Sequence, residues 1–248
     1  MIVLKTPEEI KIMQEGGKIL AKVVKELEKQ AVAGITTMEL NRAAEALILK
    51  YGAKPGFKGH EGFPYSLCTS VNEEIVHGFP SERILKEGDV IGLDLGVLHK
   101  GYYTDMAVTV AVGMVSFEAK RLLMVAKKAL KRGIKKVRPG NTIGDIGNTI
   151  QRYVEGQGLA VVRDLCGHGI GKALHEDPKI PNFGARHKGE VLKEGMVICL
   201  EPMVTMGDWH LKKAKDGYGY ATKDGSLTAH FEHTMAVTKE GIMVLTEL

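Results

Sequence analysis

The chain has 248 residues and a mass of 27.0 kDa, and its 44% hydrophobic content is enough to enclose a sizeable core in one large domain. The 34 Lys and Arg against 30 Asp and Glu leave a formal charge of +4, too mild to mark a nucleic-acid binder, and no run of 18 apolar residues exists to cross or anchor in a membrane. Three cysteines are an odd number in a long chain and argue against a disulfide framework; with no signal-peptide core near the N-terminus, a cytoplasmic protein with reduced thiols is expected.

In chain order, Ile10, Met13, Gly17, Leu20, Val24 and Leu27 recur at three- and four-residue steps, so residues 7 to 30 are predicted to form an amphipathic helix opened by Pro7 and two glutamates. Thr36 followed by Glu39 is a capping-box pattern for a second helix, whose buried face is Leu40, Ala43, Ala44 and Leu47 and which ends at Gly52. The phrase LKEGDVIGLD, residues 85 to 94, then leads into a strand. Ile91, Leu93, Leu95 and Val97 share one face of it, and Val90, Gly92, Asp94 and Gly96 share the other. YYTDMAVT, from Tyr102 to Thr109, supplies a second strand carrying Asp105.

The same order then returns. Phe117 to Val137 reads as a long amphipathic helix, followed by Pro139 and Gly140, then Thr142 with Asp145, then Ile146, Ile150 and Val154 before Gly156. LKEGMVICLE, residues 192 to 201, repeats the earlier phrase and ends in Glu201; FEHTMAVT, from Phe231 to Thr238, repeats the strand and carries Glu232. Gly34 to Gly140 is a shift of 140 − 34 = 106, and Gly88 to Gly195 a shift of 195 − 88 = 107. A near-constant offset marks a repeat about half the chain long. The expectation is one domain, 1–248, of two halves, roughly 7–110 and 113–240, packed about a pseudo-two-fold axis with equivalent residues facing each other.

In that arrangement Asp94, Asp105, Glu201 and Glu232, from four strands, point into one central space, because a shift of two residues keeps a strand side chain on the same face. Carboxylates converging in a dry site raise one another's pKa, so cations are needed. Four negative charges against two divalent ions balance, −4 + 4 = 0, and the site is expected to be dinuclear. CGHGIGKALHEDP, residues 166 to 178, offers His168 between glycines and His175 seven residues on; His77 in SVNEEIVHGFP is a third imidazole. Oxygen with one imidazole suits manganese, iron, cobalt, zinc or magnesium rather than copper or an iron–sulfur cluster, and two ions sharing a water make hydroxide at neutral pH. Metal-assisted hydrolysis is the reaction class reached from residues alone.

Asp94 and Asp105 eleven apart, CGHGIG around His168, EPMV at Glu201 and FEHT at Glu232 together resemble type I methionine aminopeptidase, a family of the pita-bread fold, over about Thr6 to Thr246. The resemblance implies an α+β fold, with two pseudo-symmetric α/β halves and a central curved, mainly antiparallel sheet covered by helices. It implies excision of the initiator methionine from nascent chains when the second residue is small, a metal-activated bridging hydroxide attacking the scissile carbonyl. Asp94, Asp105 and Glu232 would hold one ion and Asp105, His168, Glu201 and Glu232 the other, the pair drawn from cobalt, manganese, iron, zinc or nickel. By the same resemblance Glu201 helps deprotonate the water, His175 stabilises the oxyanion and His77 contacts the scissile amide.

Phe63, Cys68 and Tyr218 fall where the family lines the methionine pocket, with Phe57 and His60 nearby; Leu174 stands where an aromatic is often found and Tyr218 replaces a frequent Trp. Asn72 and Thr228 match positions near a structural monovalent cation in some members. No zinc-binding extension precedes Thr6, and only 232 − 201 = 31 residues separate the last two ligands, so the resemblance is to the minimal bacterial form, acting as a monomer. The nearest enzymatic rival is a proline-specific pita-bread aminopeptidase, which shares the five ligands; a different class is a catalytically dead relative serving as a binding module. Finally, Lys127, Lys128, Lys131, Arg132, Lys135 and Lys136 recur in pairs every four residues, a basic stripe that reads as a solvated face or as a weak ribosome-docking surface.

Overall fold

The computed structural model describes residues 2–248. Thr6 opens α1 (Pro7–Gln30) through a reciprocal capping box with Glu9, and Thr36 opens α2 (Thr37–Lys50) in the same way with Glu39. The short strands β1 (Lys54–Pro55), β2 (Cys68–Val71) and β3 (Glu74–Val76) follow, and then the two long ones, β4 (Val90–His99) and β5 (Tyr102–Ala111). Helix α3 (Phe117–Ile134) ends three residues short of the predicted Val137. Gly133 lies in its last turn and Pro139 follows, a pair that weakens and then forbids continuation, and Val137 is buried in the turn beyond. Thr142 then caps α4 (Ile143–Glu155) with Asp145.

The second half continues with β6 (Ala160–Val161), β7 (Cys166–Gly169), β8 (Glu176–Pro181), β9 (Val197–Leu200) and β10 (Met203–Thr205). It closes with β11 (Leu211–Lys213), β12 (Tyr220–Thr222), β13 (Thr228–His230), β14 (Glu232–Thr238) and β15 (Gly241–Val244). A nine-stranded sheet runs β1-β4-β5-β14-β9-β7-β8, with β2 also on β4 and β15 also on β14; β13-β10-β6 and β11-β12-β3 form two small sheets. Every pairing among these strands is antiparallel. The α+β class, with helices over a central antiparallel sheet, is therefore as expected.

One face of the sheet carries the core. Ile91, Leu93, Leu95 and Val97 of β4 pack under Leu20, Val24 and Leu27 of α1 and Leu40, Ala44 and Ile48 of α2. Ile198 and Leu200 of β9 with Met235 and Val237 of β14 pack under Leu122, Leu130, Ile146 and Ile150 of α3 and α4. Each fully buried Leu or Ile there contributes roughly 1.5–3 kcal/mol. A bridge between Thr36 and Ile84 ties the start of α2 to the segment before β4, and one between Thr142 and Val191 ties the start of α4 to the segment before β9. Strands β4 and β9 are thus presented to the sheet with their apolar faces under helices, and their opposite faces are left for the other side.

Candidate active site

The register of three strands assembles the carboxylates. Asp94 of β4 and Glu232 of β14 both pair with Ala107 of β5, from opposite sides, and Asp105 lies two residues along β5 on that same face. Glu201 does not lie within a strand: it sits in the break between β9 and β10, where its carbonyl accepts a hydrogen bond from Asn182 at 2.9 Å. The break turns its side chain toward the other three. Asp94, Asp105, Glu201 and Glu232 are all buried. Asp105 is pinned further, its N–H donating to the Thr234 hydroxyl and that hydroxyl donating to the Asp105 carbonyl, both at 2.8 Å.

Burial raises the pKa of all four, and for Asp94, Asp105 and Glu232 the neighbouring carboxylates add to it: Asp105 and Glu201 are pushed up to about 8, and Asp94 and Glu232 upward as well. Asp94 Oδ1 and Glu232 Oε1 are buried oxygens with no hydrogen-bond partner. Four desolvated carboxylates with orphaned oxygens are a donor set that divalent cations fit.

His168 adds an imidazole nitrogen to this set. Its Nδ1 lies 2.8 Å from the Gly169 carbonyl, which can only accept, so Nδ1 carries the proton and Nε2 offers a bare lone pair. That Nε2 is 3.7 Å from Glu201 Oε1, and burial holds its pKa down at about 3, keeping it an available ligand. Gly167 makes this placement feasible: a Cβ there would lie 2.3 Å from the Cys199 carbonyl oxygen, so only glycine lets β7 approach β9 this closely.

All thirteen residues named from the sequence for the divalent ions or the substrate line one cavity of about 780 Å³. Its floor is Asp94, Asp105, His168, Glu201 and Glu232. One wall is apolar and aromatic: Phe63 meets Phe57, Tyr65, Phe79 and Tyr218 with ring centroids 5.5 to 6.3 Å apart, and Phe79 stacks on Tyr218 at 4.8 Å. Leu174 and Cys68 complete this wall. His77 is held at φ +62 before Gly78 and is kept neutral by burial, which takes its pKa to about 4. His175 faces His60 across 3.3 Å, and burial followed by His60 lowers its pKa.

Sequence reasoning missed several contributors. His230 is buried with Nε2 at 3.4 Å from Glu201 Oε2 and 3.8 Å from Glu232 Oε2, and burial takes its pKa to about 3. Its position two residues before Glu232, on the same strand face, was the available signal. Cys199 Sγ lies within ligand range of Asp105, His168 and Glu232. Tyr65 and Phe79 extend the aromatic wall. Asn72 and Thr228 lie apart from the cavity lining, where the Thr228 hydroxyl sits 2.9 Å from the Asn72 carbonyl and 2.7 Å from the Glu74 carbonyl. One proton serves two carbonyls there.

The model of metallopeptidase family M24 matches residues 11–239. The chain is 47% identical over 248 residues to methionine aminopeptidase 1 of Bacillus subtilis, covering 100% of both, and 47% identical over 246 residues to the methionine aminopeptidase of Clostridium perfringens, covering 99% of both. Among solved structures it matches the methionine aminopeptidase of Thermotoga maritima at a TM-score of 0.98 and 43% identity, over 100% of both chains. It also matches the prolidase of Pyrococcus furiosus at a TM-score of 0.78 and 26% identity, covering 99% of this chain and 66% of that one.

Proposed function

The chain belongs to metallopeptidase family M24 and has its pita-bread fold, and from that membership we propose that it is a methionine aminopeptidase, removing the N-terminal methionine of nascent proteins whose second residue is small. The observation that carries the reading is the cluster of four buried carboxylates and the bare His168 Nε2 at the floor of a cavity with an aromatic, sulfur-tolerant wall. Asp94, Asp105 and Glu232 would hold one divalent ion and Asp105, His168, Glu201 and Glu232 a second, each being cobalt, manganese, iron, zinc or nickel. When bound, the ions supply a water of lowered pKa and polarise the scissile carbonyl.

The chain's own groups do the rest. The methionine side chain lies against Phe57, Phe63, Cys68, Leu174 and Tyr218, which places the peptide carbonyl over the carboxylates. Glu201 takes the proton of the attacking water as its oxygen bonds to the carbonyl carbon. His175 donates a hydrogen bond to the carbonyl oxygen as charge develops there, and His77 contacts the amide nitrogen. Glu201 then returns its proton to that nitrogen as the carbon–nitrogen bond breaks, releasing methionine and a shortened chain. The three oxygens at Asn72, Glu74 and Thr228 are the place for a monovalent cation, which would relieve the two-carbonyl contact of one hydroxyl.

Cleavage of Met-Ala-Ser after reconstitution with each metal tests this reading; preference for an Ala-Pro substrate would move the chain to the proline-specific branch, and inactivity with every metal would make it a binding module. A further part of the proposal is weak, salt-sensitive ribosome association through α3. Lys127, Lys128, Lys131 and Arg132 are exposed there, and Lys135 and Lys136 continue into the turn. Lys128 and Arg132 also lie over the Tyr153 ring at 5.8 and 4.3 Å, so part of the stripe is engaged within the protein. Reversing Lys128, Arg132 and Lys136 to Glu should weaken ribosome co-sedimentation at low salt and leave tripeptide cleavage intact; unchanged sedimentation would mark the stripe as solvated surface.

A further inference from the structure

His175 is assigned above as the donor to the developing oxyanion, and that role demands a hydrogen on the nitrogen that faces the substrate. A neutral imidazole carries only one, so its other nitrogen must be bare. In the structure that other nitrogen has a partner: His175 Nδ1 lies 3.3 Å from His60 Nε2, the rings edge to face with centroids 5.1 Å apart. Two nitrogens at that separation share one hydrogen; two hydrogens clash and two lone pairs repel.

Which ring owns the shared hydrogen decides whether His175 can serve. If it sits on His175 Nδ1, then Nε2 of that ring is an acceptor and offers the oxyanion only a lone pair. If it sits on His60 Nε2, then His175 Nδ1 accepts and Nε2–H is free to donate. The surroundings favour the second state. Glu61 Oε1 stands 4.0 Å from His60 Nε2, beyond hydrogen-bond distance, and its negative charge favours a hydrogen on that nitrogen. His60 is held by the 3-10 turn His60–Gly62, with its N–H bonded to the Phe57 carbonyl at 2.9 Å, so the donor is built on the same segment that carries the pocket wall.

We propose that His60 is a positioning residue that donates to His175 Nδ1 and thereby fixes the His175 tautomer with its hydrogen on Nε2, toward the substrate. The inference rests on the oxyanion role of His175. It follows the logic by which one ring nitrogen's partner sets the other's protonation.

Two substitutions separate hydrogen-bond chemistry from mere bulk. His60→Gln keeps an N–H donor on a side chain of similar reach, whereas His60→Glu presents only acceptor oxygens to His175 Nδ1 and pulls the hydrogen there. On the zinc-loaded enzyme, nitrogen NMR of the ring, assigned by its loss in His175→Ala, should show hydrogen on Nε2 of His175 in the wild type and in His60→Gln, and on Nδ1 in His60→Glu. With Met-Ala-Ser, His60→Gln should retain most of the wild-type kcat and His60→Glu should lose on the order of 10²-fold, the scale of one missing oxyanion donor. Wild-type His175 with a bare Nε2, or equal kcat for the Gln and Glu variants, overturns the proposal. If His175→Ala changes KM alone, the oxyanion reading itself fails, and the NMR result still decides whether His60 governs the tautomer.

Discussion

Adding a single methyl group at Gly167 tests how tightly the carboxylate floor of the cavity is built. The new Cβ would lie 2.3 Å from the Cys199 carbonyl oxygen and 3.3 Å from both Glu201 Cγ and Ile180 Cβ. Reaching even the 3.0 Å below which such contacts essentially never occur requires a displacement of 3.0 − 2.3 = 0.7 Å. The obstacle is backbone, so the strands themselves must part. Cys199 is the register partner of His168, and β9 leads directly into Glu201, so separation of β7 from β9 moves two of the five proposed ligands relative to Asp105 and Glu232. Overpacking of this kind costs about 1–3 kcal/mol, which in a domain of this size lowers Tm by roughly 2–12 °C. Displacement approaching 1 Å in a reacting constellation costs about 10²-fold, so Gly167→Ala should lower kcat/KM for Met-Ala-Ser by about 10- to 100-fold with metal in excess. Calorimetry and steady-state kinetics on the same preparation read both effects. Wild-type kcat/KM in the variant would refute the claim that β7–β9 spacing sets the ligand geometry.

Replacing Glu201 with Gln should keep the fold, since its volume is unchanged, while kcat falls by about 10²–10⁴-fold at saturating metal; near-wild-type turnover would remove Glu201 as proton acceptor. His175→Ala should lower kcat more than it raises KM, by on the order of 10² or more, because a donor to the transition state is idle in the ground state, and a change confined to KM would make it a substrate-binding residue. The raised carboxylates predict a pH signature for chelated protein. Asp105 and Glu201 hold their protons up to about 8, so metal addition at pH 7 should release protons, measured by calorimetry in buffers of different ionisation enthalpy. A carboxylate whose folded pKa is raised favours folding below its unfolded value near roughly 4 and loses that contribution as pH climbs to the folded value. Buried His77, His168 and His230, whose pKa values are lowered, act in the opposite sense below about pH 6.5, so the Tm of chelated protein should fall between about pH 6.5 and 8 while the metal-loaded Tm holds, and parallel profiles would contradict the coupling.

Much of this protein was legible in its sequence because the signals are local. Thr6, Thr36 and Thr142 open helices through capping boxes that span four residues, and two-residue alternation fixed that Asp94 lies opposite Ile91, Leu93 and Leu95. The duplicated phrases paired Asp94 with Glu201 and Asp105 with Glu232, and all four line the same cavity. Where α3 stops was misjudged, because a periodic apolar pattern runs on through Val137 while the backbone leaves the helix ahead of Pro139. Tertiary structure alone decided the rest. Parity put His230 on the face of Glu232, yet its approach to Glu201 requires β13, a strand of a small sheet, to run directly into β14 of the large one. His60 meets His175, 115 residues away, only because the turn after β1 and the loop between β7 and β8 close over the same cavity. Alternation and capping are set by each residue's immediate neighbours, whereas which strands lie side by side, and which loops fold over the gap, depends on closing the whole sheet around two cores at once.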